Sequence, residues 1–141
     1  QIGGSKSGIE GGEICRNTIT GRDLPNGAGN LCNGIMLAGA SNVNVYDNKV
    51  QGGIQSGLYF DSGRGLNVHD NTVTGFAPGG IFAVRIENVT DSVFQNNSVT
   101  KVRAGEDDRF VEIGKSSNNV YSGNRRGGVV LLRGSSEKSH Q

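Results

Sequence analysis

Five side chains have the types and the spacing for work on sugars: Tyr59, Asp61, Arg85, Glu87 and Glu112. They sit in three short apolar phrases, Gly57-Leu58-Tyr59-Phe60, Ala83-Val84-Arg85-Ile86 and Phe110-Val111-Glu112-Ile113. Aligning Leu58, Val84 and Val111 puts Tyr59, Arg85 and Glu112 in one outward column, with Asp61 and Glu87 in the next. If the phrases are neighbouring strands, members of a column stand about 5 Å apart. Three chemistries fit that face. Asp61 and Glu87 at ~5 Å would serve as acid and nucleophile of a retaining glycosidase, their mutual repulsion keeping one protonated. Alternatively, Arg85 would neutralise a uronic-acid carboxylate while Tyr59 or His69 removes the C5 proton, which is lyase or epimerase chemistry. Thirdly, the face would only bind, with Tyr59 on a sugar ring and Arg85 and Glu112 on its polar groups. The plain alternative is a solvated charged face on which Arg85 pairs with Asp61, Glu87 or Glu112.

Other reactive types are sparse. His69 falls in a variable column with Cys15, Tyr46, Gln95 and Ser122, next to Asp47 and Asp70. It reads as a base held by a carboxylate or as decoration of a turn. Two aspartates begin a calcium site but do not complete one, and no Cys/His group has zinc spacing. No metal site and no cofactor are therefore expected. Cys15 and Cys32 stay open between a disulfide and two free thiols.

The elements that must position these residues are repeats. The phrase Ile14-Cys15-Arg16-Asn17 returns as Val45-Tyr46-Asp47-Asn48, Val68-His69-Asp70-Asn71, Phe94-Gln95-Asn96-Asn97 and, worn, Tyr121-Ser122-Gly123-Asn124. Between the copies run short β-branched or aromatic stretches with period-two alternation, anchored at Ile9, Ile35, Leu58, Val84, Val111 and Val130. No stretch has a helical period. Short strands at a period of 19 to 27 residues predict an all-β solenoid: a single-stranded parallel β-helix of about five to six rungs. Its core would be Ile35, Leu37, Val45, Val50, Leu58, Phe60, Val68, Val73, Val84, Ile86, Phe94, Val99, Val111 and Ile113. Asn17, Asn48, Asn71, Asn97 and Asn124 would form an amide ladder inside the turns, because an Asn side chain both donates and accepts.

Composition narrows the classes. The chain has 141 residues, with 24 Gly, 15 Asn, 33% apolar residues and a net charge of +1. Low charge argues against a disordered chain and against a nucleic-acid partner. No apolar run reaches the ~18 residues of a membrane span, so no membrane insertion is expected.

The phrases Asn42-Val43-Asn44-Val45-Tyr46-Asp47-Asn48 and Gly65-Leu66-Asn67-Val68-His69-Asp70-Asn71 resemble the right-handed parallel β-helix of the pectate-lyase-like superfamily, over about residues 8 to 134. The superfamily includes polysaccharide lyases, mannuronan C5-epimerases, polygalacturonases and phage tailspikes. The resemblance implies right-handedness and a polysaccharide, acidic or from a bacterial surface, as the partner. The chain lacks the Gly-His-Gly of polygalacturonases and the Asp-Pro-His of the epimerases, and Arg85-Ile86-Glu87 ends in the wrong charge for the former. That leaves two functions: an enzyme of the lyase, epimerase or hydrolase type, or a non-catalytic binding, assembly or spacer module as in a tailspike. Residues 1–134 are expected to be a section of a longer solenoid and 135–141 a polar flexible tail. The expected setting is extracellular, at a cell surface or on a virion, with a homotrimer or end-to-end association as the assembly.

Overall fold

The computed structural model describes residues 2–3, 8–21, 33–76, 82–131 and 137–138. Its strands are short and succeed one another around stacked coils. The first coil carries β1 (Ile2–Gly3), β2 (Ile9–Glu10), β3 (Glu13–Cys15) and β4 (Thr18–Thr20). The second carries β5 (Ile35–Ala38), β6 (Ala40–Ser41), β7 (Asn44–Tyr46) and β8 (Lys49–Gln51). Then come β9 (Leu58–Asp61), β10 (Asn67–His69) and β11 (Thr72–Thr74), followed by β12 (Val84–Glu87), β13 (Val93–Gln95) and β14 (Ser98–Thr100). The last coil has β15 (Phe110–Ile113), β16 (Val120–Ser122) and β17 (Arg125–Arg126), with β18 (Val129–Val130) and β19 (Glu137–Lys138) after it.

Nearly every strand pairs with its copy one coil away, which makes three long sheets along the rod and a two-stranded one, β2-β6. The first runs β1-β5-β9-β12-β15-β19, the second β16-β13-β10-β7-β3 and the third β18-β17-β14-β11-β8-β4. All these pairings are parallel except that of β17 with β18. The chain is thus the all-β parallel solenoid that the repeats predict. Among the described residues there is no helix, and none long and apolar enough to cross a membrane.

Alternation puts one side of every strand inside. Val45, Leu58, Phe60, Val68, Val73, Val84, Ile86 and Phe94 are fully buried. Phe94 stacks on Tyr121 of the next coil at 5.1 Å, and the Phe60 ring of the first sheet packs against Phe94 at a tilt of 59°, 5.8 Å away. A coil buries little by itself; the stacking supplies the core. Close approach explains Gly57, where a Cβ would lie 2.2 Å from Val73 Cγ1.

The Asn ladder is complete at its centre. Each Nδ2 donates to the Oδ1 of the next coil's Asn at 2.9 to 3.1 Å, from Asn17 through to Asn124. The same Oδ1 also accepts the backbone N–H of the preceding Asn. The second Nδ2 hydrogen reaches back to a carbonyl of the previous coil, Val45 in the case of Asn71. Both donors and both lone-pair directions of Asn48, Asn71 and Asn97 are therefore used. The residue before each ladder Asn turns the corner in the left-handed region: Arg16, Asp47, Asp70 and Asn96 have φ of 56°, 53°, 57° and 55°. Asp and Asn tolerate that region better than most residues.

The structure corrects the expected register at both ends. Ile9 does not anchor the first sheet; β2 pairs with β6, Ile9 opposite Ala40, and β1 takes the place on β5. Val130 does not anchor it either; β18 folds back antiparallel on β17, and β19 pairs with β15. That last strand is Glu137–Lys138. In the last coil the partners are Val84 with Phe110 and Ile86 with Glu112, a slip of one residue from the aligned Val84 and Val111. The cause lies at the next corner. Thr90 stands three positions after Glu87, but its partner Ser117 stands four after Ile113. The additional residue is taken up around Lys115, whose N–H bonds Asn88 Oδ1 at 2.8 Å. Cys32 and most of 23–34 lie outside the described residues, and with them the pairing of Cys15 with Cys32.

Candidate functional site

The outward face of the first sheet brings together four of the residues expected to share it. In register, Met36, Tyr59 and Arg85 stand in one column, and Ala38, Asp61 and Glu87 in the next. The Arg85 guanidinium lies over the Tyr59 ring, 4.7 Å from its centroid. Its Nη2 is 3.1 Å from Glu87 Oε2, and the same oxygen accepts the Tyr59 hydroxyl at 2.5 Å. Arg85 Nε is buried and has no hydrogen-bond acceptor among the described residues. Beside these groups is a hollow of about 160 Å³ lined by Asn33, Gln55, Ser56, Tyr59 and Arg85. Asp61 stands next to Glu87 in register and accepts the Ser62 hydroxyl at 2.9 Å.

Burial, first, and donation to Glu87 push the Tyr59 hydroxyl up to about 12, against the smaller opposing pull of Arg85. The phenol therefore stays protonated at neutral pH and acts here as a donor. A general base works best with a pKa near the operating pH, so Tyr59 is poorly suited to proton abstraction.

Glu112 does not join this face, which corrects its expected outward placement. The one-residue slip turns it inward beside Ile86, where it is buried and accepts Asn119 Nδ2 at 2.8 Å. A slip of one residue exchanges the faces of a strand. Ile113, expected in the core, is only half-buried, while Phe110 and Val111 are both buried.

His69 is on a different sheet from Arg85. It belongs to β10 of the second sheet, where its ring stacks on Tyr46 at 5.0 Å and its Nδ1 lies 2.7 Å from Asp70 Oδ2. In that same column Tyr46 donates to Glu13 at 3.1 Å, and Cys15 donates to the same carboxylate at 3.9 Å. Hydrogen bonding with Cys15 and then with Glu13 raises the Tyr46 hydroxyl above its ordinary value. Asp47 and Asp70 are the left-handed corner residues of their coils. Among the described residues, no three His, Cys, Asp or Glu side chains converge as metal ligands.

The loop at 101–109 is a salt-bridged turn. Glu106 accepts the Val102 N–H at 2.9 Å and Arg103 Nε at 3.2 Å, Arg109 forks onto Asp107, and Arg126 reaches Asp108 at 2.7 Å. Asn33, Gln55 and Ser56 were not among the sequence candidates. They lie outside the alternating strands, so periodicity carries no signal for them.

The family model of NosD, described as periplasmic copper-binding protein, matches residues 1–137. Neither the curated proteins nor the solved structures give a match.

Proposed function

The chain belongs to the NosD family, a periplasmic family of right-handed parallel β-helices, and from that footing we propose that it binds polysaccharide through the first-sheet face around Arg85, with preference for an acidic sugar. The observation that carries this reading is the state of the Arg85 guanidinium. One edge is held by Glu87, the flat side rests on Tyr59, and Nε is buried beside a hollow without an acceptor among the described residues. Buried polar groups ordinarily have partners, and a guanidinium takes a carboxylate through two N–H groups at once. Asn33, Gln55 and Ser56 supply neutral donors and acceptors suited to hydroxyls. The reading is one of binding: Tyr59 is a poor base, His69 is on another sheet, and one oxygen of Glu87 already takes both Tyr59 and Arg85.

Copper, which the family's description names, is the second reading, and the described donors do not fit it. Copper favours thiolate, thioether and imidazole ligands held together. Cys15 and His69 are separated in their column by Tyr46, which places them two strand spacings, about 10 Å, apart. Met36 is on the first sheet, with its sulfur near the Asn33 amide at 3.7 Å. Cys32 and His140 lie outside the described residues.

Calorimetric titration of the chain with oligogalacturonate and with its carboxyl-reduced counterpart tests the proposal. The acidic ligand should bind more tightly, and Arg85→Ala should weaken it roughly 10- to 100-fold, the worth of one charge-assisted contact. Equal affinity for the two ligands, or an Arg85→Ala variant that binds like the parent, would overturn it. Stoichiometric copper uptake that Cys15→Ser or His69→Ala abolishes would favour the second reading.

A further inference from the structure

Two Asn-Gly pairs occur in the chain, Asn26-Gly27 and Asn33-Gly34, and the second lies within the described residues. The dipeptide is reactive because glycine has no Cβ to shield its backbone nitrogen from the preceding side chain. At position 34 the fold permits nothing larger. A Cβ there would fall 2.1 Å from Val50 Cγ1 and 2.5 Å from the Gly57 carbonyl oxygen. That oxygen is held in place, since it accepts the Ile35 N–H at 2.9 Å. The asparagine is engaged as well: its Oδ1 accepts the Ser56 N–H of the next coil at 3.1 Å. Packing and pairing therefore put a labile dipeptide at the entrance to β5.

The same contacts hold its reaction back. Ring closure needs the Gly34 nitrogen free to attack Asn33 Cγ. Gly34 N–H donates to Ser56 O at 3.0 Å, so nitrogen and amide oxygen are both tied to one residue of the next coil. Ser56 is buried and anchored in turn, its hydroxyl donating to Phe82 O at 2.6 Å. Once these bonds open, the chemistry needs only water. Gly34 N–H gives its proton to solvent and the nitrogen bonds to Asn33 Cγ. The Cγ–Nδ2 bond breaks, and the leaving nitrogen takes up a proton and departs as ammonia. Water then opens the five-membered imide at either carbonyl, giving aspartate or isoaspartate. Both products carry a carboxylate at position 33, on the wall of the hollow that Arg85 also lines. Isoaspartate also lengthens the backbone by a methylene just before β5.

We infer that Asn33 is a site of spontaneous deamidation whose rate is set by opening of the Ser56 contact, and that its conversion closes the hollow to acidic ligands. The second half rests on the acidic-ligand reading of the Arg85 face. A fixed carboxylate in a hollow of about 160 Å³ competes for the guanidinium and repels a ligand of its own sign. The first half stands without any ligand. Local opening frees the Gly34 nitrogen for ring closure and exposes its hydrogen to exchange. Folding should therefore slow both processes at this position by the same factor.

Incubation of the intact chain at mildly alkaline pH, folded and in unfolding urea, provides the test. Peptide mass mapping reads the gain of about 1 Da at Asn33, and amide-resolved NMR reads exchange at Gly34. Asn33 should convert at least roughly tenfold more slowly in the folded chain, and the slowing should match that of Gly34 exchange within about threefold. Urea below the unfolding transition should speed both in step. Equal conversion in folded and unfolded chains, or an Asn33 that stays intact while the Gly34 amide exchanges freely, would overturn the first half. For the second, Asn33→Asp should bind oligogalacturonate severalfold more weakly than Asn33→Ala, which separates the added charge from the lost amide. Equal binding by the two variants would overturn it. A parent chain that does not bind oligogalacturonate would sink the Arg85 reading and the second half with it, whereas mass mapping and exchange involve no ligand and decide the first half by themselves.

Discussion

At the scale of single residues, the first-sheet face shows how one acceptor organises three groups. Glu87 Oε2 takes the Tyr59 hydroxyl and the Arg85 guanidinium together, and Arg85 lies on the Tyr59 ring. Tyr59 therefore positions Arg85. Its hydroxyl, raised from 10.0 to about 12, should show in the phenolate absorbance. The difference in titration between the parent and Tyr59→Phe should have its midpoint near 12 and not near 10. The sign for stability follows. Between these values the unfolded chain gives up the proton first, so the native state holds more protons and stability falls as pH rises. Below pH 10 the contribution is fully present; it is lost as pH passes about 12. Denaturant unfolding should lose less stability over that window in Tyr59→Phe than in the parent; equal losses would contradict the assignment. Tyr59, Asp61, Arg85 and Glu87 were readable as one face because strict alternation governs Leu58–Asp61 and Val84–Glu87. Glu112 was not. Phe110-Val111-Glu112-Ile113 has apolar residues on both of its faces, so its pattern fits either register.

At the scale of elements, the Asn ladder joins the coils where the sheets cannot. Its members sit at corners, outside the strands, and yet Asn48, Asn71, Asn97 and Asn124 are all buried. Removing one from the middle strands several buried groups together. Asn71→Ala leaves the Asn48 N–H and one Asn48 Nδ2 hydrogen without an acceptor and takes one of the two donors from Asn97 Oδ1, the backbone N–H at 71 remaining. At about 1–3 kcal/mol for each unsatisfied buried group, the loss should reach roughly 3 kcal/mol or more in urea unfolding. Asn17 is exposed and ends the ladder, so Asn17→Ala should cost about 1 kcal/mol or less. Equal costs at both positions would show that the ladder is not cooperative. Glu112 provides a second check at this scale. It is inside the coil, so Glu112→Gln should leave the affinity for oligogalacturonate unchanged while Arg85→Ala lowers it.

At the scale of the whole molecule, stability should run along the rod as a sum of neighbour contacts. The middle coils have a partner on both sides, while β3 and β4 each end their sheet. Hydrogen exchange should be slowest in β7, β10 and β13 and fastest in β3, β4 and β18; uniform protection would argue for all-or-none unfolding of the rod. Phe94→Ala, which removes a ring from between Phe60 and Tyr121, should cost about 3–5 kcal/mol. The two ends differ. At the last coil β18 folds back on β17, and Leu131 N–H bonds Asn124 O, much as Arg125 N–H bonds Asn97 O one coil earlier. The sequence by itself determined the coil and its ladder, since each is a local phrase repeated and the same residue types recur wherever the same contacts recur. Only the tertiary structure decided the register of the last coil and the pairing of Ile9 with Ala40. Each of these depends on how many residues a corner absorbs, or on which coil a residue faces. A one-dimensional period counts residues, whereas pairing is settled by hydrogen bonds between chains of residues 23 to 34 positions apart.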